Sequence, residues 1–368
     1  MECKFCDSEN TIKYGKCKDK QWYFCKDCSR KFLDNGNFAK MRTRSQIIVT
    51  ALDMYFEGLS VRKIQRQVSK LYQVYVSQVT VWKWVIKFSN LVKNYVDELK
   101  PKLSFKWHVD ETMIKCEGEY KWFWEIIDEK TKFMVATLLS EERSIEEATK
   151  LFKQSKERSL VKPDVIVSDG LAAYEEAIKK VFLTWRIPHT THISSVGLKA
   201  RQTNNIIERL HGTLKDRLKP MRGLKKIYSA NAILGGWFVY YNFLRPHETL
   251  DGITPAEACG IKFNFTHENG WFDLIDRSIK KNYGGIELPK NYDMLLKQRY
   301  VRTNEWRFIV KIFDKNGKEV LNPYGMKTKF SKYDIALEFV KFYKDLYPTA
   351  TFVIVEKIGD DETEFFRI

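Results

Sequence analysis

Apolar positions along this chain change their period twice. Up to about residue 36 they come in short runs, TIKYGK and QWYFC with Gly15 in the first, and predict two short strands. From Ser45 they recur every three or four residues. Ile47, Ile48, Ala51, Leu52 and Tyr55 predict a helix over 45–56 that Gly58 stops. Ser60 is a good N-cap for a helix over 61–72, and Ser77 for a third over 78–88. On that third helix Val81, Trp82 and Val85 fall on the core side, and Trp84 fits either face.

From Phe105 strand-like segments take over. FKWHVDETMIKCEG, YKWFWEIIDEKT and KFMVATLLSEE are rich in aromatic and β-branched residues and predict a three-stranded meander, with turns at 117–119 and 128–130. Ser144 caps a helix running to 156. Pro163 precedes a very apolar strand over 165–167 that ends at Asp169-Gly170. A helix over 172–182, a short strand over 185–187 and a helix opened by Thr203-Asn204-Asn205 follow. Then a long apolar helix from Ala230 ends in YYNFLRPH, where Pro246 stops it, and Thr254-Pro255-Ala256-Glu257 starts another. Later come a helix over 271–281, strands over 306–313, 352–357 and 364–367, an Asn316-Gly317 hairpin turn and a helix over 331–346.

Three strands, helix, strand, helix, strand, helix is the order of a ribonuclease-H-like core, an α/β fold with a mixed five-stranded sheet. The expected organisation is a small metal-bound ribbon (1–36), an all-α helix-turn-helix unit (40–98), the core (102–262), a linker and helical segment (263–300) and a small α+β domain (301–368).

Charge narrows the function. The chain of 368 residues carries a formal charge of +16, which favours a polyanionic partner. Residues 1–100 hold about nine of those net charges, while the stretch from Val301 onward is nearly neutral. The polyanion-facing surface is thus expected to include the N-terminal part. No apolar run reaches the roughly 20 residues needed to span a bilayer, and MECKFC does not read as a signal peptide. Five of the seven cysteines precede residue 30, which points to metal rather than disulfides in a reducing cytosol. The expected location is cytoplasmic, in association with the nucleoid.

Cys3-Lys4-Phe5-Cys6 and Cys25-Lys26-Asp27-Cys28 are two C-x-x-C pairs separated by 18 residues. This is the spacing of a four-cysteine Zn²⁺ site, with two thiolates on each tight turn closing a tetrahedron. Cys17 reads as a bystander. A closed shell assigns the ion a folding role, so the ribbon would act through its basic surface, including Lys4, Lys13 and Lys31. The helices that follow suit a reader that lays its last helix in the DNA major groove, with Ser77, Gln78, Thr80, Lys83 and Lys87 facing the bases and backbone.

Three acidic residues carry the chemistry. Asp110 and Asp169 lie on or at the end of apolar strands, where an unpaired carboxylate is costly, and Glu208 sits on a periodic helix. Mg²⁺ or Mn²⁺ explains all three, since such ions take carboxylate oxygens and phosphate together. Glu175 and Glu176 are expected to face solvent, Asp164 starts a strand rather than ending one, and Asp128 reads as a turn residue. His189, His192 and His211 are candidates to line the site; with no matching metal partner, each reads as structural or as standing behind the metal ligands.

WHVDET, VSDGLAAY, NNIIERLHGTLKDR and YYNFLRPHETLDGITPAEA, in that order, resemble the DDE transposases of bacterial and archaeal insertion sequences, within the retroviral integrase superfamily. The likeness covers residues 1 to about 262. It implies that Asp110, Asp169 and Glu208 are the metal-binding triad, and that the chain cuts transposon ends and joins them to target DNA as a homodimer or larger assembly. Lys215 and Arg217, further along the Glu208 helix, are expected to touch substrate phosphate, and Arg209 to bind DNA or form a salt bridge. The YYNFLRPH segment is expected to pack, with Arg245 and His247 as candidate backbone contacts to DNA. Two other readings are a regulator that binds without cutting and a nuclease on the same core. No triad carboxylate is lost, and the sequence-reading front end argues against a nuclease selective for shape.

Overall fold

The computed structural model describes residues 1–17, 20–159, 161–182, 190–194, 204–221, 223–284, 308–314, 329–330, 336–337, 340–341, 344, 349–358 and 361–367. The strand expected over 185–187, His189, the Asn316-Gly317 turn and most of the helix expected over 331–346 lie outside these residues.

The first unit is an antiparallel three-stranded sheet, β1 (Thr11–Cys17), β2 (Lys20–Cys25) and β3 (Lys31–Leu33), in that order. Its own core is small: Cys3, Phe5, Cys25 and Phe32. Three helices follow, α1 (Ser45–Phe56), α2 (Val61–Tyr72) and α3 (Gln78–Val96). Ser60 and Ser77 cap α2 and α3, accepting from the amides of Lys63 and Thr80. Helix α3 runs eight residues past the end expected at 88, because Val92, Tyr95 and Val96 extend its buried stripe. Trp84 is the tryptophan in the core; Trp82, expected there, is only half-buried.

The central sheet has the order β6-β5-β4-β7-β8. It is built from β4 (Lys106–Cys116), β5 (Glu119–Asp128), β6 (Met134–Ser140), β7 (Val165–Ser168) and β8 (Thr191–Ser194). The meander pairs antiparallel, whereas β4–β7 and β7–β8 are parallel. Two helices, α4 (Ile145–Arg158), capped by Ser144, and α5 (Ala172–Phe182), cover one face. There Tyr174 meets Glu111 and packs edge-on to Trp124. Helix α6 (Asn205–Leu218) covers the other face, where His211 meets Asp110 and Glu125. Strand alternation sends neighbouring residues to opposite faces, so the adjacent Asp110 and Glu111 serve different helices.

Helix α7 (Ile227–Val239) packs along α3. A Cβ at Gly236 would lie 2.3 Å from Ser89 Oγ and 2.4 Å from Phe56 Cζ. Phe56 cannot swing aside, since it stacks on Trp271 and Tyr240. Gly236→Ala gains helix propensity worth about 1 kcal/mol but overpacks a rigid contact. We expect net destabilisation of about 1–3 kcal/mol, read as a lowered thermal midpoint; an unchanged or raised midpoint would contradict this packing.

Helices α8 (Pro255–Ala258) and α9 (Gly270–Gly284) complete this body. Thr254 and Glu257 form a reciprocal capping box at the start of α8. The helix expected over 271–281 is α9, and it is packed: Trp271, Leu274, Ile275 and Ile279 are buried. Buried residues from Phe38 to Ile279 form one continuous core, so α1–α3 share packing with the sheet-bearing part. Near the C-terminus, β9 (Phe308–Phe313), β10 (Lys329–Phe330), β11 (Thr351–Ile358) and β12 (Asp361–Arg367) form an antiparallel sheet of order β10-β9-β11-β12. Among the described residues no helix is long and apolar enough to cross a membrane.

Candidate active site

The parallel pairing of β4 with β7 ends at His108↔Val167. Two residues further along each strand direction lie Asp110 and Asp169, brought side by side where β7 stops. Asp110, Glu111 and Asp169 each offer a carboxylate oxygen within 4.8 Å of the others. The end of β7 leaves Asp169 half-exposed, whereas Asp110 is largely buried and the side chain of Glu111 almost wholly so.

Helix α6 is fixed above Asp110 at two points. Its N-cap residue, Asn204, is buried; its Oδ1 lies 3.0 Å from His108 Nδ1, and its Nδ2 donates to the Val109 carbonyl at 3.3 Å. Two turns on, His211 Nδ1 lies 3.8 Å from Asp110 Oδ2, and its Nε2 lies 3.0 Å from Glu125 Oε2. Glu125 is the cross-strand partner of Asp110 and fully buried. Burial works against a charge on His211, yet Glu125 and Asp110 raise its pKa above the ordinary imidazole value. Glu208 lies between these fixed points, four residues after Asn204 and three before His211, on the helix flank that meets β4. It is exposed and is not among the three clustered carboxylates.

Burial raises the Asp110 pKa to about 7, the charges of Glu111 and Asp169 add to it, and His211 opposes them. Crowded carboxylates of this kind call for a cation. In the chain itself Arg143, from the β6–α4 loop, partly meets that need. It pairs with Glu111, lies 3.6 Å from Asp169 and sits over the Trp122 ring at 5.0 Å. The Tyr174 hydroxyl donates to the other Glu111 oxygen.

Glu111, Glu125 and Arg143 were not foreseen from sequence; His211, expected to be structural or to stand behind the metal ligands, lies against Asp110 and Glu125. The available signal was the Asp-Glu pair inside a strand, because alternation gives each face one carboxylate to satisfy. Nothing local marked Arg143. Asp128, as expected, is a turn residue: buried, it accepts from Thr131 and Ser104. Glu175 and Glu176 face solvent beside Lys179. His192 bonds Ser168 at 2.8 Å.

The four ribbon cysteines also converge. Cys3 Sγ–Cys28 Sγ and Cys6 Sγ–Cys25 Sγ are each 3.6 Å, and all four sulfurs lie within 4.8 Å of one another. Thiolates about 2.3 Å from a common ion would stand about 3.8 Å apart at tetrahedral angles, so the set fits Zn²⁺. Cys17 ends β1 at the far tip of the hairpin, six residues from the Thr11↔Cys25 rung, or roughly 20 Å along the strand.

The expected DNA contacts divide. Gln78, Lys83 and Lys87 are exposed on α3, Thr80 is half-buried, and the Ser77 hydroxyl caps the helix. Lys215 is exposed on α6. Arg217 is not a surface contact: it is 3% exposed, its guanidinium 3.9 Å from the centre of the Tyr55 ring. Its helical position turns it toward α1, where the ring covers it.

Residues 104–247 match the family model described as a DDE domain. The chain is 24% identical over 227 residues to the transposase for insertion sequence element IS257 in transposon Tn4003 of Staphylococcus aureus, covering 61% of this chain and 97% of that protein. The chain carries a DDE transposase domain. The transposase for insertion sequence-like element IS431mec of S. aureus Mu50 matches to the same extent. Among solved structures, the HTLV-2 integrase catalytic core domain in complex with magnesium (dimeric form) is 19% identical, covering 43% of this chain and 95% of that one, at a TM-score of 0.31. The catalytic core domain of BIV integrase is 20% identical, covering 42% and 93%, at 0.32. These scores are low, and the ribonuclease-H-like assignment rests on the strand order. As a DDE transposase the chain is a polynucleotidyl transferase.

Proposed function

We propose that this transposase recognises the terminal inverted repeats of its element through the ribbon and α1–α3, hydrolyses a phosphodiester to free a 3′-OH, and directs that 3′-OH at target DNA. The observation that carries the reading is the meeting of Asp110 and Asp169 at the end of the β4–β7 pair, beneath a helix stapled there by Asn204. Asp110, Asp169 and Glu208 would hold two Mg²⁺ or Mn²⁺ ions. All three offer hard oxygen donors, and the raised Asp110 pKa marks a carboxylate that a cation would relieve. When bound, the ions supply Lewis-acid stabilisation of the attacking and leaving oxygens. By holding those ions, Asp110 and Asp169 would fix the reacting phosphate at the point where β4 and β7 stop pairing. Glu208, longer and on the helix, orients the attacking water or 3′-OH. Glu125 holds His211 in place on the inner side of Asp110. The ribbon cysteines Cys3, Cys6, Cys25 and Cys28 would hold Zn²⁺ for folding. Synapsis of two ends calls for at least a dimer.

The test is Mg²⁺- or Mn²⁺-dependent nicking and joining on labelled DNA carrying the flanking inverted repeats, with Asp169→Asn as control. Nicking at the repeat end, lost in the variant, is expected. Specific binding without nicking in either metal would overturn the catalytic reading in favour of a DNA-binding regulator.

A further inference from the structure

The carboxylate site does not use the YYNFLRPH segment. After α7 the chain enters a π-helical turn, Tyr240–Leu244, a distortion found often at functional sites. Its Asn242 is fully buried; it accepts from the Met134 amide at 2.8 Å and donates to the Met134 carbonyl at 3.0 Å. That pins the turn to the start of β6. Arg245 then leaves in extended conformation, and Pro246 prevents the helix from resuming.

The result is a groove of about 480 Å³ along α6, on the flank bearing Ile206, Arg209 and Thr213. Glu208 and His211 occupy the opposite flank. Lys132, Arg209, Arg245 and His247 line the groove, and among the described residues Glu248 is the one acidic side chain on it, itself exposed. Neither Arg209 nor Arg245 has a carboxylate partner among the described residues, and Lys132 Nζ donates only to the Glu129 carbonyl. His247 is held neutral: burial, then Arg245 and Lys132, push its pKa down to about 4. Burial likewise lowers Lys132, with Arg209 and Lys106 adding to the effect against Glu129 and Asp128. Cations are thus crowded into a groove with little to neutralise them, a cost that an anion would remove.

We propose that this groove is a track for the phosphate backbone of DNA, separated from the carboxylates by the width of α6, about 10 Å. The proposal rests on the transposase reading and adds a second hold on the strand within the core. Backbone contacts position a duplex without reading its sequence. Their loss should therefore act equally on any DNA and flatten the salt dependence.

The experiment uses the full chain and two duplexes of equal length, one carrying the inverted repeat and one unrelated, with affinity measured across a KCl series. Arg209→Ala/Arg245→Ala should weaken binding to both duplexes alike and reduce the slope of log Kobs against log[KCl] by about 2, with the thermal midpoint unchanged or raised. Arg209→Glu, at an exposed position that leaves the core untouched, should weaken both duplexes about tenfold or more, since it replaces a phosphate contact with a repulsion. An unchanged slope in the double variant, unchanged affinity in Arg209→Glu, or a loss confined to the repeat duplex would each overturn the proposal. Wild-type nicking is followed in the same preparations. If the wild type nicks and the variants bind normally, only the groove assignment falls; if the wild type binds neither duplex, the transposase reading falls with it.

Discussion

Asp110→Asn should abolish end cleavage while making the metal-free protein more stable at pH 8. The activity loss follows from position. Asp110 stands beside Asp169 at the point where β4 and β7 stop pairing, and the amide is a far weaker ligand for a hard cation. Losing several kcal/mol of transition-state stabilisation corresponds to at least about a thousandfold in rate. The stability gain follows from the environment. Burial and the neighbouring carboxylates hold this group up at about 7, against roughly 3.9 in an unfolded chain. A carboxyl with a raised folded-state pKa binds its proton more tightly when folded. Its ionisation therefore costs nothing below about pH 4, costs progressively more up to about pH 7, and is fully felt above that.

Asparagine does not titrate, so the gap in thermal midpoint between variant and wild type should open from pH 4 to 7 and then stay level. Its ceiling is about 4 kcal/mol. Adding Mg²⁺ should restore stability to the wild type and much less to the variant. Calorimetry from pH 4 to 8 in magnesium-free buffer, without a chelator that would strip zinc, checks this. A variant that still nicks, or that melts below wild type at pH 8, would remove Asp110 from the site.

Loss of the ribbon metal has the second large effect. Among the described residues of the first 33, only Cys3, Phe5, Cys25 and Phe32 are buried as their own core, far too little to fold such a segment alone. Zinc held by four thiolates contributes about 10–16 kcal/mol in peptides of this kind. Cys25→Ser removes a fully buried ligand from the centre of that cluster. The expected outcome is one zinc per chain in the wild type and none in the variant. Protease should then cut within residues 1–33 while the remainder survives, because α1–α3 belong to the larger core. Inverted-repeat affinity should drop with it. Full zinc content and a resistant N-terminus in the variant would refute the four-cysteine assignment.

Much of this was legible in the chain because it depends on local spacing. The caps at Ser60, Ser77, Ser144 and Thr254, the C-x-x-C pairs and the apolar strand ending at Asp169 each need only a few neighbouring residues. The order of strands and helices was enough to name the core, since parallel pairing of β4 with β7 requires a crossover such as α4. Where the local pattern was ambiguous, the reading slipped. Helix α3 ran past its expected end, Trp82 proved only half-buried and Trp84, which fitted either face, entered the core, because the face that α7 and α9 would cover was not known.

What the tertiary structure alone decided is how charged side chains are shared between elements distant in sequence. Arg217 was expected to touch substrate phosphate and is instead covered by Tyr55, some 160 residues earlier. Arg143 joins Glu111 and Asp169 only because the β6–α4 loop and the end of β7 come together at the same edge of the site. The Lys132–Arg209–Arg245 groove exists only because Asn242 pins a π-helical turn to Met134. Periodicity fixes which side of an element is apolar; which charges meet depends on packing between elements, and that is a property of the folded chain.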